Sequence, residues 1–229
     1  MTGREYRNML AIDTATMRLK LALAFGPDRL VKSDNRMERT HGQMIMKKID
    51  ELFLSAGLAK KMLDVIVVSR GPGSFTGLRI GLAAAKGISA ALGIPVIGVD
   101  LFELSAYKLR DVATPVILLL PHRRDEFFTA VVEHGACSME TVKTVPLGDV
   151  GKVVSAGQVR LVGVDPAAMS TEAAAAAHAE VLEYDAADLL HVGLRKLAAG
   201  GPDDVTRLEP LYLQKSQAEI RFEERRKRK

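Results

Sequence analysis

The sequence predicts an α/β fold made of two related lobes with a cleft between them. Strand-like apolar runs alternate with helical ones, and a strand–turn–strand unit at the N-terminus recurs about 108 residues later, from Asp13 to Pro121. No long flexible linker separates the two halves. We therefore expect a first lobe at residues 1–105, a second lobe at residues 106–213 and a basic tail at residues 214–229.

In the first lobe, an apolar run at residues 9–12 stops at Asp13, and apolar side chains alternate with polar ones from residue 18 to Phe25. Alternation with a period of two is typical of a half-buried strand. The lobe therefore begins with a strand, a polar turn that carries Asp13, and a second strand that ends at Gly26.

The next segments predict a crossover between parallel strands. Apolar residues fall at helical spacing from residue 41 to 56, and Gly57 is a good residue to end that helix. A buried strand is expected at residues 64–69, a helix at residues 76–92 and another buried strand at residues 96–99. A strand, helix, strand succession of this kind favours a right-handed parallel crossover.

The second lobe is expected to begin near residues 101–110. Its predicted elements are strands at residues 116–120, 127–132 and 161–164, a charged turn at residues 121–126, an alanine-rich helix with Asp165 as its N-cap and Pro166 as its first residue, and a helix at residues 186–199.

Composition limits the classes of function. Hydrophobic residues make up 48% of the 229 residues and charged residues 26%, as in soluble globular proteins. No charge-free apolar run approaches the roughly 18 residues that span a bilayer, and the N-terminus has no apolar stretch of the signal-peptide type. With Cys137 as its single cysteine, the chain is expected in a reducing compartment, most simply the cytoplasm.

The positive charge is concentrated in the tail. Residues 214–229 hold seven Lys or Arg and three Asp or Glu, so this segment accounts for the whole net charge of +4. A broad basic face on the body is therefore not indicated. The tail could contact RNA phosphates through its charge, or it could be a solvated terminus.

The glycine-rich segment from Gly71 to Gly77 leads into the second predicted helix. It is not a Walker loop, because no Gly-Lys-Ser/Thr follows, and its third glycine comes one residue late for a dinucleotide fingerprint. The segment could face an anion at the helix N-terminus or form a purely structural turn. Ser74 or Thr76 could cap the helix.

Small residues follow one side of that helix. Gly77, Gly81, Ala84, Ala85 and Ile88 lie at positions i, i+4, i+7, i+8 and i+11. Such spacing would let another helix approach closely, with the methionine-containing helix 41–56 as the nearest partner. The two helices could pack only on each other and on the sheet, or they could form part of a subunit interface.

The segment Arg70–Gly81, RGPGSFTGLRIG, resembles the signature segment of the TsaB (YeaZ) family. Residues 11–16 resemble the N-terminal turn of that family, and residues 94–99 and 209–213 match its later landmarks. The resemblance extends from residue 9 to residue 213. The glycine-rich segment is highly specific, whereas the other pieces would be weak alone.

The resemblance implies a two-lobed fold of the actin-like and sugar-kinase-like (ASKHA) class. It also implies a bacterial subunit of the complex that forms N6-threonylcarbamoyladenosine at position 37 of tRNAs reading codons that begin with A. In that family the transfer reaction belongs to the paralogous partner TsaD. TsaB pairs with TsaD through the first-lobe helices and helps recruit the ATPase TsaE. Without TsaD, members form homodimers through the same surface.

On this basis we expect a non-catalytic subunit with no catalytic residue, no metal and no cofactor when isolated, and with ATP or ADP only at the interface of the complex. The expected partner interface comprises Met44, Ile45, Lys48, Leu52, Thr76, Gly77, Ile80, Gly81, Ala84, Ala85 and Ile88. Vestigial contacts to a nucleotide or phosphate are expected at Asp13, Thr14, Gly71, Gly73 and Ser74.

The residues also bear on two enzymatic alternatives. An independent ASKHA-type ATP-dependent phosphotransferase would place Asp13 and the glycine segment around ATP, but the first turn lacks a glycine, and Pro121 stands where the family commonly has a second Asp. A metal-dependent hydrolase is disfavoured because none of the five histidines has a histidine partner four residues later.

Overall fold

The computed structural model describes residues 7–36, 41–123, 126–154, 158–162 and 180–213. The alanine-rich helix predicted after Asp165 and the basic tail lie outside these residues. The strands are β1 (Met9–Asp13), β2 (Arg18–Phe25), β3 (Arg29–Arg36), β4 (Val65–Gly71), β5 (Val96–Asp100), β6 (Val116–Arg123), β7 (Glu126–Glu133), β8 (Ala136–Cys137), β9 (Lys143–Pro146), β10 (Gln158–Val162) and β11 (Glu180–Leu182). The helices are α1 (His41–Ala56), α2 (Phe75–Leu92), α3 (Leu101–Lys108), α4 (Val150–Val154) and α5 (Ala186–Gly200).

Two sheets with the same connectivity form the two lobes. The first has the strand order β3-β2-β1-β4-β5, and the second has the order β11-β10-β6-β7-β8, with β9 also paired to β7. In each sheet the first strand of the lobe is antiparallel to the next strand on one side and parallel to a later strand on the other. The predicted two-lobed α/β fold of the ASKHA class, with a duplicated sheet, is confirmed.

The first sheet is buried on both faces, and alternate side chains of β1 point into two different cores. Leu10 and Ile12 point into a core shared with α1 and α2, whereas Met9 and Ala11 point into a core shared with α3 and α5. The second core also contains apolar residues of β6 and β7, so it joins the two lobes. Helices α1 and α2 therefore lie on the outer side of the first lobe.

The C-terminal part of the chain returns to the first sheet. Helix α5 packs on β1, β2, β4 and β5. The segment that follows, residues 201–213, is called the C-terminal strap here. In it the Asp203 amide donates to the Val96 oxygen at 3.1 Å, and the Leu211 amide donates to the Arg70 oxygen at 2.8 Å. The predicted second lobe, residues 106–213, includes the C-terminal strap. The two hydrogen bonds given above join the strap to strands of the first lobe.

Three local predictions are corrected. The charged turn at residues 121–126 is wrong, because β6 continues to Arg123 and β7 begins at Glu126, with a register shift between Pro121 and Arg123. Proline has no amide hydrogen to donate to a neighbouring strand. Pro121 lies exposed at the register shift, where a missing donor is tolerated. The polar edge strand β3 had not been predicted, and the strand expected at residues 161–164 lies at Gln158–Val162.

No helix in the described ranges is long and apolar enough to cross a membrane.

Candidate functional site

Two segments meet at one edge of the first sheet: the β1–β2 turn (residues 14–17) and the glycine loop (residues 71–77). Strands β1 and β4 are parallel neighbours, with Ile12 opposite Val68, so their carboxyl ends lie together at this edge. In an ASKHA enzyme this is where the first phosphate-binding turn would be expected. The packing between the two segments therefore bears on whether a phosphate could bind at this edge.

The glycine loop packs directly on the β1–β2 turn. The Ser74 amide donates to the Ala15 oxygen at 2.7 Å. A β-carbon at Gly73 would overlap the Ala15 carbonyl, and one at Gly77 would overlap the Thr14 oxygen. These glycines thus permit close approach to a turn of the same chain. The purely structural interpretation of the glycine loop is the one that its contacts support.

Ser74 is the N-cap of α2, as one of the two predicted alternatives had it. Its hydroxyl oxygen accepts a hydrogen bond from the Gly77 amide at 3.1 Å, which satisfies one of the free amides of the first turn. Thr76 is exposed in that turn.

Two of the small residues of α2, Gly77 and Gly81, do not face another helix. A β-carbon at Gly81 would overlap the Thr14 hydroxyl, so Gly81 and Gly77 both face the β1–β2 turn. The interpretation of these two glycines as a helix-docking stripe is therefore corrected. The contact between α1 and α2 is made elsewhere, where a β-carbon at Gly42 would lie 3.7 Å from the Ile80 Cδ1 atom.

Asp13 is fully buried and engaged by its own chain. Its Oδ1 atom accepts from the Ala15 amide at 2.9 Å, and its Oδ2 atom accepts from the Tyr184 hydroxyl at 3.0 Å. Burial, together with the charge of Asp13, raises the pKa of Tyr184 well above its ordinary value, so the hydroxyl stays a donor at neutral pH. Tyr184 precedes α5, so this hydrogen bond ties the C-terminal part of the chain to β1.

Lys20 completes the buried cluster. Its ammonium group donates to the Tyr184 carbonyl oxygen at 3.1 Å and lies 3.6 Å from the centre of the Tyr184 ring. Burial lowers the pKa of Lys20, and the carboxylate of Asp13, which faces it in the β1–β2 pairing, opposes that shift. The positive charge balances Asp13 inside the protein.

The residues expected to contact a nucleotide in the first turn are engaged by the rest of the chain. Both carboxylate oxygens of Asp13 hold internal donors, and the glycine loop fills the space beside Ala15. The Thr14 hydroxyl is buried and covered by Gly81, and it has no hydrogen-bond partner in the part of the chain described here.

At the corresponding position of the second lobe, the described residues on the β6 side of the turn are Pro121 and His122. Pro121 is exposed, and the ring of His122 packs on the ring of Phe128 with centroids 4.1 Å apart. Within the ranges described, no group of three or more His, Cys, Asp or Glu side chains lies close enough to hold a metal ion. Burial raises the pKa of the Cys137 thiol to about 11, so the reactive thiolate is scarce at neutral pH.

The second candidate site is the outer surface of α1 and α2, which is called the α1–α2 face here. Of the eleven residues expected at a partner interface, five are buried: Ile45, Leu52, Gly77, Gly81 and Ala85. Five are partly buried, namely Met44, Lys48, Ile80, Ala84 and Ile88, and Thr76 is exposed. The buried five can only support the helices, so contact with a partner would depend on the other six.

An apolar groove extends this face towards the C-terminal ends of both helices. Its volume is about 190 Å³, and it is lined by Met46, Ile49, Phe53, Lys60, Leu63, Ile88, Ala91 and Leu92. Sequence reasoning had selected only Ile88 from this set. Met46 is 43% exposed and Leu54 on the same helix 83% exposed. The sequence signal for Met46 and Leu54 is an apolar residue outside the core-facing stripe of an amphipathic helix.

Comparison with known proteins supports the same grouping. The family model of TsaD, described as tRNA N6-adenosine threonylcarbamoyltransferase, matches residues 35–222. The protein named "tRNA threonylcarbamoyladenosine biosynthesis protein TsaB" from Haemophilus influenzae is 30% identical over 54% of this chain, and the match spans only 53% of its own length. The protein of the same name from Escherichia coli K12 is 28% identical over 92% of this chain and 96% of its own.

A solved structure agrees over nearly the whole chain. YeaZ from Pseudomonas aeruginosa superposes with a TM-score of 0.66 at 26% identity, covering 90% of this chain and 100% of that one. The match extends over both lobes, whose duplicated sheets were described above. The chain therefore belongs to the family that the TsaD model describes, and its TsaB and YeaZ relatives identify it as a member of the TsaB (YeaZ) proteins.

Proposed function

We propose that this chain is the non-catalytic scaffold subunit of the complex that forms N6-threonylcarbamoyladenosine at position 37 of tRNAs. In this proposal it pairs with a TsaD-type catalytic subunit through the α1–α2 face and helps recruit a TsaE-type ATPase. The family assignment and the name of its relatives, which refers to tRNA threonylcarbamoyladenosine biosynthesis, support the pathway.

One observation carries the pairing: the apolar groove lined by side chains of α1 and α2, with the 43% exposed side chain of Met46 in its wall. An apolar concavity with an exposed methionine in its wall is a place where an apolar side chain of another protein can insert. Methionine suits such a surface because its flexible side chain adapts to an irregular partner. When no TsaD-type subunit is present, a second copy of this chain would cover the same face.

The non-catalytic role is supported by the state of the first turn. Asp13 accepts hydrogen bonds from Ala15 and Tyr184, and the glycine loop packs where a phosphate would need room. We propose that ATP or ADP binds only where a second subunit completes a site. Titration of the isolated chain with ATP and magnesium should therefore give no heat of binding up to millimolar concentrations. Micromolar binding with turnover would instead favour an independent phosphotransferase.

The pairing is tested with two methionines of similar exposure on opposite lobes. Met46 on α1 is 43% exposed and Met139 in the second lobe is 46% exposed. Met46→Glu places a charge at the groove and should abolish co-purification with the TsaD-type subunit of the same organism. Met139→Glu should leave it unchanged.

Native circular dichroism of both variants is the control for folding. Unchanged affinity of a folded Met46→Glu variant would contradict the assignment of the α1–α2 face. A larger residue at Gly81 is not a useful test, because it would collide with Thr14 inside the lobe.

A further inference from the structure

Three side chains form a cluster on the surface at the start of α2, which is called the aromatic platform here: Phe75, Arg79 and Tyr212. The Phe75 and Tyr212 rings have centroids 5.3 Å apart. The Arg79 Nε atom donates to the Tyr212 hydroxyl at 2.9 Å, and the Arg79 guanidinium lies 4.0 Å from the centre of the Phe75 ring. The three side chains thus hold one another in a fixed arrangement.

The platform is exposed although it is aromatic. Phe75 is 40% exposed and Tyr212 43% exposed, and they are the large exposed aromatic side chains of the described residues. The C-terminal strap holds Tyr212 in place, because the neighbouring Leu211 amide donates to the Arg70 oxygen at 2.8 Å and Leu208 is buried in the core beneath α1 and α2. Two aromatic rings are therefore presented to solvent by a fixed backbone.

The surroundings of the platform favour a negatively charged ligand. The first turn of α2 carries no acidic residue. The basic tail, with its net charge of +4, begins in the sequence two residues after Tyr212. Exposed aromatic rings beside an arginine are a combination that binds single-stranded nucleic acid, since bases stack on the rings and the cation pairs with a phosphate. An acidic peptide would use the charge but would leave the rings without a role.

We infer that the aromatic platform binds an unpaired stretch of RNA. One base stacks on the exposed face of Tyr212 or Phe75, and an adjacent phosphate pairs with Arg79. The inference rests on the proposed function, because a tRNA-modifying complex is the setting that would bring unpaired RNA to this surface. It assigns the RNA contact to a surface distinct from the apolar groove, so binding of RNA and binding of the TsaD-type subunit are separable.

The test measures binding of the full chain to a fluorescein-labelled 12-nucleotide oligouridylate by fluorescence anisotropy at several salt concentrations. Tyr212→Ser and Phe75→Ser should each weaken binding at least about fivefold, as expected for loss of one stacking partner. Tyr212→Phe keeps the ring and should bind within about twofold of the unchanged chain. Arg79→Gln should reduce the slope of log affinity against log salt by about 0.7. Met62→Ser, at a first-lobe side chain that is 51% exposed, should change nothing.

The same variants are assayed for co-purification with the TsaD-type subunit. Retained pairing by Tyr212→Ser, together with weakened RNA binding, supports the inference. Absence of RNA binding by the unchanged chain, or unchanged RNA binding by Tyr212→Ser, overturns it. Loss of pairing with RNA binding intact also overturns it, because the platform would then belong to the protein interface. Failure of the unchanged chain to pair at all would instead contradict the proposed function, whatever the RNA result.

Discussion

At the scale of single residues, Asp13 is held by hydrogen bonds within its own chain. A carboxylate at the end of the first strand could orient a metal-bound water. Here its oxygens accept hydrogen bonds from Ala15 and Tyr184, and Lys20 lies beside the same tyrosine. The residue that would begin the chemistry thus serves to join β1 to the segment that precedes α5.

Removal of one hydroxyl tests this role. Tyr184→Phe leaves the ring in place but leaves a buried carboxylate oxygen without its donor, so the free energy of unfolding should fall by about 1–3 kcal/mol. Urea denaturation followed by circular dichroism measures the change. Tyr107→Phe is the matched control, because that half-buried ring packs against His191 away from Asp13, and it should cost less than about 0.5 kcal/mol. Equal midpoints for the two variants would show that the hydrogen bond is not a structural tie.

At the scale of elements, α2 contains two interior glycines with opposite surroundings. A β-carbon at Gly81 would overlap the Thr14 hydroxyl, whereas one at Gly87 would meet nothing within 4 Å. Gly87→Ala should therefore stabilise the protein by about 0.5–1 kcal/mol through helix propensity. Gly81→Ala should destabilise it by about 1–3 kcal/mol, because the turn must move to admit the methyl group. Thermal unfolding of the two variants shows whether each substitution raises or lowers the stability. A stabilised Gly81→Ala variant would contradict the packing of α2 on the β1–β2 turn.

Helix α3 begins with a capping box that should make stability depend on pH. Asp100 accepts from the Glu103 amide at 2.9 Å, and Glu103 is held by Lys196 of α5 at 2.8 Å. Burial, and then the negative charge of Glu103, raise the pKa of Asp100 to about 6. A raised pKa means that the folded state holds a proton that the unfolded chain releases. The stabilisation from this group is therefore complete below pH 4 and is lost as pH rises through 6.

The variant Asp100→Asn isolates this effect, because asparagine also caps helices and does not titrate. Relative to that variant, the unchanged chain should lose about 1–3 kcal/mol of unfolding free energy between pH 4 and pH 7. Urea denaturation at several pH values measures both curves. If the two curves run parallel, Asp100 does not titrate in this range.

The elements also show what the sequence could and could not predict. Periodicity placed α1, α2 and α5 within one residue at each end, because each has a long apolar stripe that matches a helix. Strand β3 was not predicted, because it is a polar edge strand in which apolar and polar residues hardly alternate. The spacing of Gly77 and Gly81 predicted the close approach of another helix, and this was wrong, because spacing alone does not say what the close neighbour is. That neighbour is a turn from residues about 60 positions earlier in the chain.

At the scale of the whole molecule, the two candidate surfaces lie on the same lobe but differ in chemistry. The α1–α2 face is extended by an apolar groove, which suits a protein partner. The aromatic platform combines exposed rings with an arginine and is held by the C-terminal strap. The sequence predicted the first surface in part, through residues such as Ile88, and did not predict the second, because Phe75 and Tyr212 are 137 positions apart and meet only when the strap returns to the first lobe.

The basic tail, residues 214–229, is a further segment that could contact tRNA in the assembled complex. Removal of residues 214–229 takes away a net charge of +4 and leaves the aromatic platform intact. If the tail contacts tRNA phosphates, its deletion should weaken tRNA binding by the complex most strongly at low salt and reduce the slope of log affinity against log salt. Filter binding of tRNA to complexes with the full-length and shortened chains measures both quantities, and co-purification of the subunits is the control for assembly. An identical salt slope would mean that the tail is only a solvated terminus. Because the tail acts through charge and Tyr212 through stacking, deletion of the tail should change the salt slope, whereas Tyr212→Ser should lower affinity without changing it.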